Sequence, residues 1–230
     1  MLEGKLPVTG MVTTGGFRDV LEIARQRRPH LFNLRVPKPN IIAERNLRIE
    51  IGERLAETGE VVLPVDVTDV AAAAQTLIQH EVESVAVCFL HAYANPAHEL
   101  QVKRQLGEAL PGVYICTSND VLSEMREYER FATTVVNASL LPLMDRYLER
   151  LQRGLETSGV PVAPRIMQSN GGAAKPETVR RLPVNTFFSG PAAGVIASAR
   201  LGGRLRKPDL MTFDMGGTST DVCLIDSGQP

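Results

Sequence analysis

Cysteine is scarce in this chain, and the few that occur have neither metal-binding nor disulfide spacing. Three cysteines stand among 230 residues, at Cys88, Cys116 and Cys223, far apart and without a Cys-x-x-Cys pair. Apolar neighbours such as Val87 and Phe89 flank the first of them. Isolated thiols in apolar surroundings are typical of buried, reduced side chains. The sequence therefore predicts free thiols in a reducing compartment, most simply the cytoplasm.

The chain also lacks an excess of positive charge and a long apolar run. Its 25 Lys and Arg residues are balanced by 26 Asp and Glu residues, for a formal net charge of −1. Nucleic acids and anionic membranes favour clearly basic surfaces, so this balance argues against both as the main partner. No apolar run approaches the roughly 20 residues that span a bilayer, and the first residues lack the layout of a signal peptide. We therefore expect a small molecule or a protein as the partner.

Helical and apolar segments alternate through the body of the chain. Helix followed by buried strand is the pattern of a layered α/β domain with a largely parallel sheet, here carrying an antiparallel hairpin at one side. The predicted helices cover residues 17–28, 66–80, 96–110 and 122–156, the last interrupted at Pro142; the predicted strands cover 84–90, 113–117 and 165–168, and the hairpin lies within 46–63.

The last quarter has a different composition. A Gly-Pro step after a predicted strand starts a helix of small residues over 189–203, and two strand-like runs, 210–214 and 219–225, flank Gly216-Gly217. A Gly-Gly step between apolar runs indicates a hairpin, and two strands alone are not independently stable. We therefore predict a first domain over 1–206 that includes 189–203 as a hinge helix. Residues 207–230 would then be the opening hairpin of a second, truncated domain.

The Gly-Gly hairpin carries the strongest chemical signal. Adjacent glycines in a tight turn let backbone amides approach an anion such as a phosphate, and hydroxyls follow at once. Asp214, at the end of its strand, would hold a hydrated Mg²⁺ that also contacts phosphate oxygens. The alternative is an ordinary hairpin whose side chains cap the turn. The candidate nucleotide-binding residues are Asp214, Gly216, Gly217, Thr218, Thr220 and Asp221.

Three further segments hold polar groups that suit a substrate site or a structural role. His91 follows the predicted strand 84–90, at the strand end where ligands bind in open α/β sheets. Ser169, Asn170 and Gly171 follow strand 165–168, with an ordinary turn as the alternative. The charged run 124–130 is interpreted as a solvated helix face, with an interdomain or substrate-facing role as its alternative.

The small-residue helix followed by the DxGGT hairpin resembles the actin-like ATPase superfamily. Within it, six segments resemble the hydantoinase A and 5-oxoprolinase family in the order that this family carries them. Together they cover essentially the whole chain. They are TTGGFRDVLEIARQRRP (13–29), VAVCFLHAYANPAHE (85–99), EMREYERFATTVVNA (124–138), MQSNGG (167–172), SGPAAGV (189–195) and FDMGGTSTDV (213–222).

This resemblance implies an α/β, layered actin-like (ribonuclease H-like) ATPase fold, truncated at both ends because family members carry a first phosphate hairpin upstream. It implies ATP and Mg²⁺ as cofactors, Asp214 as a catalytic and metal-binding residue, and opening of a five-membered cyclic amide with a B-type subunit as partner. A homo-oligomer is also expected, and the isolated chain is expected to be inactive. The alternatives are a small-molecule kinase of the same superfamily and a non-catalytic, ATP-gated interaction subunit related to acetone carboxylase.

Overall fold

The computed structural model describes residues 6–27, 30, 32–33, 35–36, 40–217 and 219–230. The chain forms two compact units, Met1–Arg146 and Tyr147–Pro230. The domain boundary after residue 206 stays a prediction. No helix within the described ranges is long and apolar enough to cross a membrane.

The first unit is built on a four-stranded sheet with the order β2-β1-β5-β6, in which every neighbouring pair is parallel. Its strands are β1 (Thr9–Thr14), β2 (Arg48–Ile51), β5 (Ser84–Cys88) and β6 (Tyr114–Thr117). All residues of the central strands β1 and β5 are buried, because helices cover both faces of the sheet. The predicted α/β architecture with a parallel sheet is confirmed.

Helices pack on both faces of this sheet and give the unit three layers. On one face Val12 and Val85 of the sheet pack with Leu77 and Leu106 in one apolar cluster. On the other face Met11, Ala86 and Phe131 belong to a second cluster. The helices are α1 (Val20–Ile23), α2 (Val67–Gln79), α3 (Ala97–Ala109), α4 (Ser118–Val121) and the first part of α5 (Glu127–Thr157), which continues past Arg146 into the second unit.

Local sequence signals explain where α2 and α3 begin. Asp66 caps α2, where its carboxylate accepts hydrogen bonds from the amides of Thr68 and Asp69. Pro96 precedes α3, at a position where a missing N–H costs nothing. Both helices lie within a residue or two of the predicted spans.

The predicted interruption at Pro142 is wrong, because α5 runs through that proline without a break. The helix instead starts only at Glu127, after Arg126 adopts a left-handed φ of 72°. Ala138 and Leu141 beside the proline are buried against the sheet. Their packing outweighs the loss of one helical hydrogen bond.

The predicted hairpin within 46–63 is partly wrong. Its first half, β2, pairs in parallel with β1, with Ile49 opposite Val12. The antiparallel hairpin is smaller and joins β3 (Arg54–Leu55) to β4 (Val61–Leu63). β2 is an edge strand of the main sheet, which gives it the alternating pattern that resembles a half-exposed hairpin.

The segment 9–28 also differs from prediction. β1 was not predicted as a strand, although it occupies the centre of the sheet. Among the described residues of the helix predicted over 17–28, only α1 is helical, since Ala24 and Gln26 take left-handed φ values of 49° and 55°.

The second unit joins two small hairpins to two helices. It contains β7 (Ile166–Met167), β8 (Ala173–Ala174), α6 (Pro176–Arg181), α7 (Ser189–Arg204), β9 (Leu210–Met215) and β10 (Thr220–Ile225). The strand predicted just before α7 is wrong. Residues Pro183–Thr186 form a 3-10 helix instead, and Phe188 then takes a left-handed φ of 56°.

Candidate functional site

The predicted Gly-Gly hairpin is present, and its register places two carboxylates side by side. β9 and β10 are antiparallel, with Asp214 directly opposite Asp221. Directly opposite residues have Cβ atoms about 5 Å apart on the same face. The amide of Gly216 donates to the carbonyl of Ser219 at 2.9 Å, which closes the turn. Thr218 lies outside the described residues.

One face of this hairpin packs on α7. Leu210 and Ile225 lie opposite each other at its base, and Ile225 is buried. Gly202 of α7 allows the close approach, since a Cβ there would come within 2.6 Å of Leu210 Cδ1. The carboxylates of Asp214 and Asp221 lie farther along the same face, because strand side chains alternate.

A groove of about 730 Å³ runs between α7 and the hairpin. Small and apolar residues of α7 form much of its lining, while Asp214, Asp221, Ser169 and Lys207 supply polar groups. Neither carboxylate has a hydrogen-bond or ion-pair partner within the described part of the chain. Like charges opposite each other destabilise a strand pair, so a cation held between them would stabilise this hairpin.

The predicted substrate segment Ser169–Gly171 forms the turn between β7 and β8. Gly171 has a φ of +78°, and Asn170 Oδ1 accepts from the amide of Gly172 at 2.9 Å. Ser169 Oγ lies 2.8 Å from the carbonyl oxygen of Asn185. These bonds fit the turn alternative, while Ser169 also lines the groove beside the hairpin.

His91 lies in the first unit, beyond the carboxyl end of β5, which is the position predicted from the sequence. Its φ of 55° is left-handed, a conformation that residues other than glycine adopt rarely. The side chain is half-buried, and Nδ1 lies 3.3 Å from the hydroxyl of Tyr93. Its role in binding a substrate stays a prediction.

A buried polar network beside His91 was not predicted. Glu53 accepts a hydrogen bond from the hydroxyl of Thr14, and its second carboxylate oxygen lies 2.7 Å from His98 Nδ1. The amide of Leu90 donates to Thr14 Oγ1 at 2.9 Å. All three side chains that meet here are buried. The network therefore ties the residue before His91 to the ends of β1 and β2.

A second buried network lies around Glu99 and Arg130. Glu99 accepts hydrogen bonds from the amides of Phe89 and Asn119, both at 2.9 Å, and from Ser118 Oγ at 2.6 Å. Arg130 donates to Ser118 Oγ at 3.1 Å and to the carbonyl of Phe89 at 2.9 Å. Burial raises the pKa of Glu99 to about 7, and its three hydrogen bonds and the nearby Arg130 oppose that rise.

The interpretation of the charged run 124–130 as a solvated helix face is wrong for Arg130, whose side chain is fully buried. A signal for this burial was present in the sequence. Arg130, Thr134 and Ala138 recur every four residues, so they share one helix face, and all three are buried. The many charged residues of the run 124–130 led to the solvated interpretation in spite of that spacing.

Comparison with known proteins gives one family match in each half of the chain. The model of the hydantoinase/oxoprolinase N-terminal region matches residues 1–110, and the hydantoinase/oxoprolinase model matches residues 130–230. The caprolactamase subunit alpha of Pseudomonas jessenii is 35% identical over 222 residues, which is 96% of this chain and 32% of that protein. 5-Oxoprolinase 1 of Arabidopsis thaliana is 32% identical over 246 residues, covering 98% of this chain and 19% of its own length.

Solved structures agree with these matches. The crystal structure of ATP-dependent caprolactamase from Pseudomonas jessenii superposes with a TM-score of 0.86 at 32% identity, over 97% of this chain and 33% of that one. Nucleotide-free acetone carboxylase superposes with a TM-score of 0.85 at 26% identity, over 99% of this chain and 34% of that one.

The chain thus spans about a third of the length of these solved relatives. Its fold is the α/β, actin-like ATPase type that the resemblance implied. With family matches on both of its compact units and conserved architecture in two solved relatives, the chain belongs to the hydantoinase/oxoprolinase family.

Proposed function

We propose that this chain is part of an ATP-dependent hydrolase that opens a five-membered cyclic amide. The observation that carries the proposal is the paired carboxylates of Asp214 and Asp221 beside a Gly-Gly turn, open to a groove. Relatives named caprolactamase and 5-oxoprolinase support the reaction class. Since the chain spans only part of those proteins, the activity is proposed for the whole protein.

The hairpin is proposed to bind the phosphates of ATP. Gly216 and Gly217 are exposed, and a Cβ at Gly217 would meet nothing within 4 Å, so a phosphate has room to approach the backbone. Thr218 and Thr220 would add hydroxyl donors. Asp214 would hold hydrated Mg²⁺ with help from Asp221, since magnesium sites use one or two carboxylates together with phosphate oxygens. The exposed oxygen donors present here fit that ion.

ATP solves a specific chemical difficulty in opening a lactam. Amide resonance makes the ring carbonyl a poor electrophile and its oxygen a poor leaving group. Transfer of the γ-phosphoryl group to that oxygen would activate the carbon toward water and let the ring C–N bond break, with a proton going to nitrogen. Overall, ATP, two waters and the lactam would give ADP, inorganic phosphate and a ring-opened amino acid.

Substrate contacts are proposed at His91 and at Ser169, Asn170 and Gly171. A second subunit of the B type is proposed as partner, which the name "subunit alpha" of the caprolactamase relative supports. We place the enzyme in the cytoplasm, where free thiols such as the buried Cys88 and Cys116 stay reduced.

Product analysis of the full-length protein with its partner subunit tests this function. Incubation with Mg²⁺, ATP and either hydantoin or 5-oxoproline is expected to release ADP, phosphate and a ring-opened acid in equal amounts. A stable phosphorylated product would favour a small-molecule kinase instead.

The likeness to acetone carboxylase favours one further candidate, an ATP-gated subunit of a larger assembly. It predicts ATP turnover without ring-opened product from either cyclic amide. The same assay therefore separates the three functions.

A further inference from the structure

The loop that carries His91 is held from several sides by buried polar groups. The peptide units of Phe89 and Leu90 are fixed through the Phe89 amide by Glu99, through the Phe89 carbonyl by Arg130, and through the Leu90 amide by Thr14. The next residue, His91, takes a left-handed φ of 55°. Backbone strain of this kind persists only where surrounding structure enforces it, and it concentrates at functional sites.

Arg130 also contacts Tyr93, whose hydroxyl lies beside the His91 imidazole. Its guanidinium carbon lies 5.3 Å from the centroid of the Tyr93 ring, within the range of a cation–π contact. A cation on the ring face withdraws electron density from the phenol, which makes the Tyr93 hydroxyl a stronger donor and a weaker acceptor. In the 3.3 Å contact with His91 Nδ1, this favours the hydroxyl as the donor and Nδ1 as the acceptor.

The tautomer of a neutral His91 follows from this contact. A neutral imidazole that accepts at Nδ1 carries its hydrogen on Nε2. No contact to Nε2 occurs among the described residues, and the side chain is half-exposed, so this N–H is available to a ligand.

We propose that His91 is an Nε2–H donor for a carbonyl oxygen of the ligand, and that Tyr93 and Arg130 are positioning residues that set its tautomer and its place. A donor of this kind would polarise an amide carbonyl, whereas a general base at the same position would need a free lone pair on Nε2. The assignment of the carbonyl to a lactam rests on the proposed function, but the tautomer does not.

Nitrogen NMR of the full chain tests the tautomer without any turnover. Long-range ¹H–¹⁵N spectra at neutral pH are expected to show His91 as the Nε2–H form alone. Tyr93→Phe removes only a hydroxyl and should convert this signal into a mixture of both tautomers. His91 as imidazolium or as the Nδ1–H form in the wild type, or an unchanged signal in Tyr93→Phe, overturns the proposal.

Titration with 2-pyrrolidinone, a simple five-membered lactam, tests the donor role. His91→Gln keeps an N–H close to the position of Nε2, while His91→Gly relieves the positive φ and keeps no donor. We expect Kd for the probe to change less than about threefold in the glutamine variant and to rise about tenfold in the glycine variant. Equal loss in both variants, or no binding to the wild type, overturns the lactam assignment, and neither outcome bears on ATP turnover by the full-length enzyme.

Discussion

At the scale of single residues, Asp214 is the sharpest test of the nucleotide site. Its carboxylate has no partner within the described chain and faces Asp221 across the hairpin. Asp214→Asn in the full-length enzyme removes one charge and one Mg²⁺ ligand while keeping the shape of the side chain. Loss of a charge-assisted contact of this kind should weaken Mg²⁺-ATP binding about 10- to 100-fold, as measured by calorimetric titration.

The matched control is Asp226→Asn, just beyond the end of β10 on the same hairpin. That aspartate accepts a hydrogen bond from Ser227 Oγ and does not line the groove. It should leave nucleotide binding unchanged. Unaltered turnover in the Asp214→Asn enzyme would mean that the nucleotide binds elsewhere.

The raised pKa of Glu99 predicts how the free energy of unfolding depends on pH. Burial raises its pKa to about 7, so the folded state binds this proton more tightly than the unfolded state. The contribution of this group to stability is therefore full below about pH 4.5 and falls as pH rises towards 7, by about 3 kcal/mol at most. Glu99→Gln leaves buried donors unsatisfied, but it removes this titration. Its destabilisation in urea unfolding should thus be larger at pH 5 than at pH 8.

Glu108→Gln provides the control for this measurement. Glu108 lies on the same helix, α3, and is exposed. We expect it to leave the pH profile of unfolding close to that of the wild type. A Glu99→Gln variant with the wild-type pH profile would contradict the assignment of the raised pKa to this carboxyl group.

At the scale of elements, adjacent glycines in α7 have opposite expected effects. A Cβ at Gly202 would come within 2.6 Å of both Leu210 Cδ1 and the carbonyl oxygen of Lys207, whereas one at Gly203 meets nothing within 4 Å. Gly202→Ala should therefore separate α7 from β9 and lower the free energy of unfolding by about 1–3 kcal/mol. Gly203→Ala should raise it by up to about 1 kcal/mol, since alanine is the better helix former.

Thermal unfolding of the two alanine variants measures this difference directly. Equal stability of both would mean that the hairpin does not pack on α7 as described. The same contact shapes the groove, so Gly202→Ala is also expected to weaken nucleotide binding in the full-length protein.

The elements were predictable where their own residues carry the signal. Asp66 and Pro96 mark helix starts by local hydrogen bonding and backbone geometry, and α2 and α3 follow from them. β2 was assigned to the wrong partner because alternation along a strand reports exposure and not pairing. Pro142 led to a wrong prediction for a related reason. The sequence shows the cost of a proline within a helix, but it does not show the burial of α5 against the sheet that compensates this cost.

At the scale of the whole molecule, the outer face of the hairpin predicts association between copies of this chain. Five large apolar side chains, each more than half exposed, alternate along the two strands with the residues that face α7. Exposed apolar patches of this kind drive association in water. They are Met211, Phe213, Met215, Val222 and Leu224.

Sedimentation of the 230-residue chain at increasing concentration is expected to show oligomers. The double variant Phe213→Ser with Leu224→Ser should shift the chain towards monomer. Val62→Ser, which removes a similarly exposed valine from β4, should not. A wild-type chain that stays monomeric throughout would contradict this prediction.

The sequence by itself determined the layered α/β class, most helices and the Gly-Gly hairpin, because helical spacing, capping residues and turn glycines act over a few residues. Only the tertiary structure decided that β1 is central, that Arg130 is buried, and that Glu53, His98 and Glu99 surround the His91 loop. Those outcomes depend on partners far apart along the chain, such as Thr14 and Leu90, 76 residues apart. A charged side chain is buried in a core only where the fold places hydrogen-bond partners around it. No local sequence pattern shows whether those partners will be present.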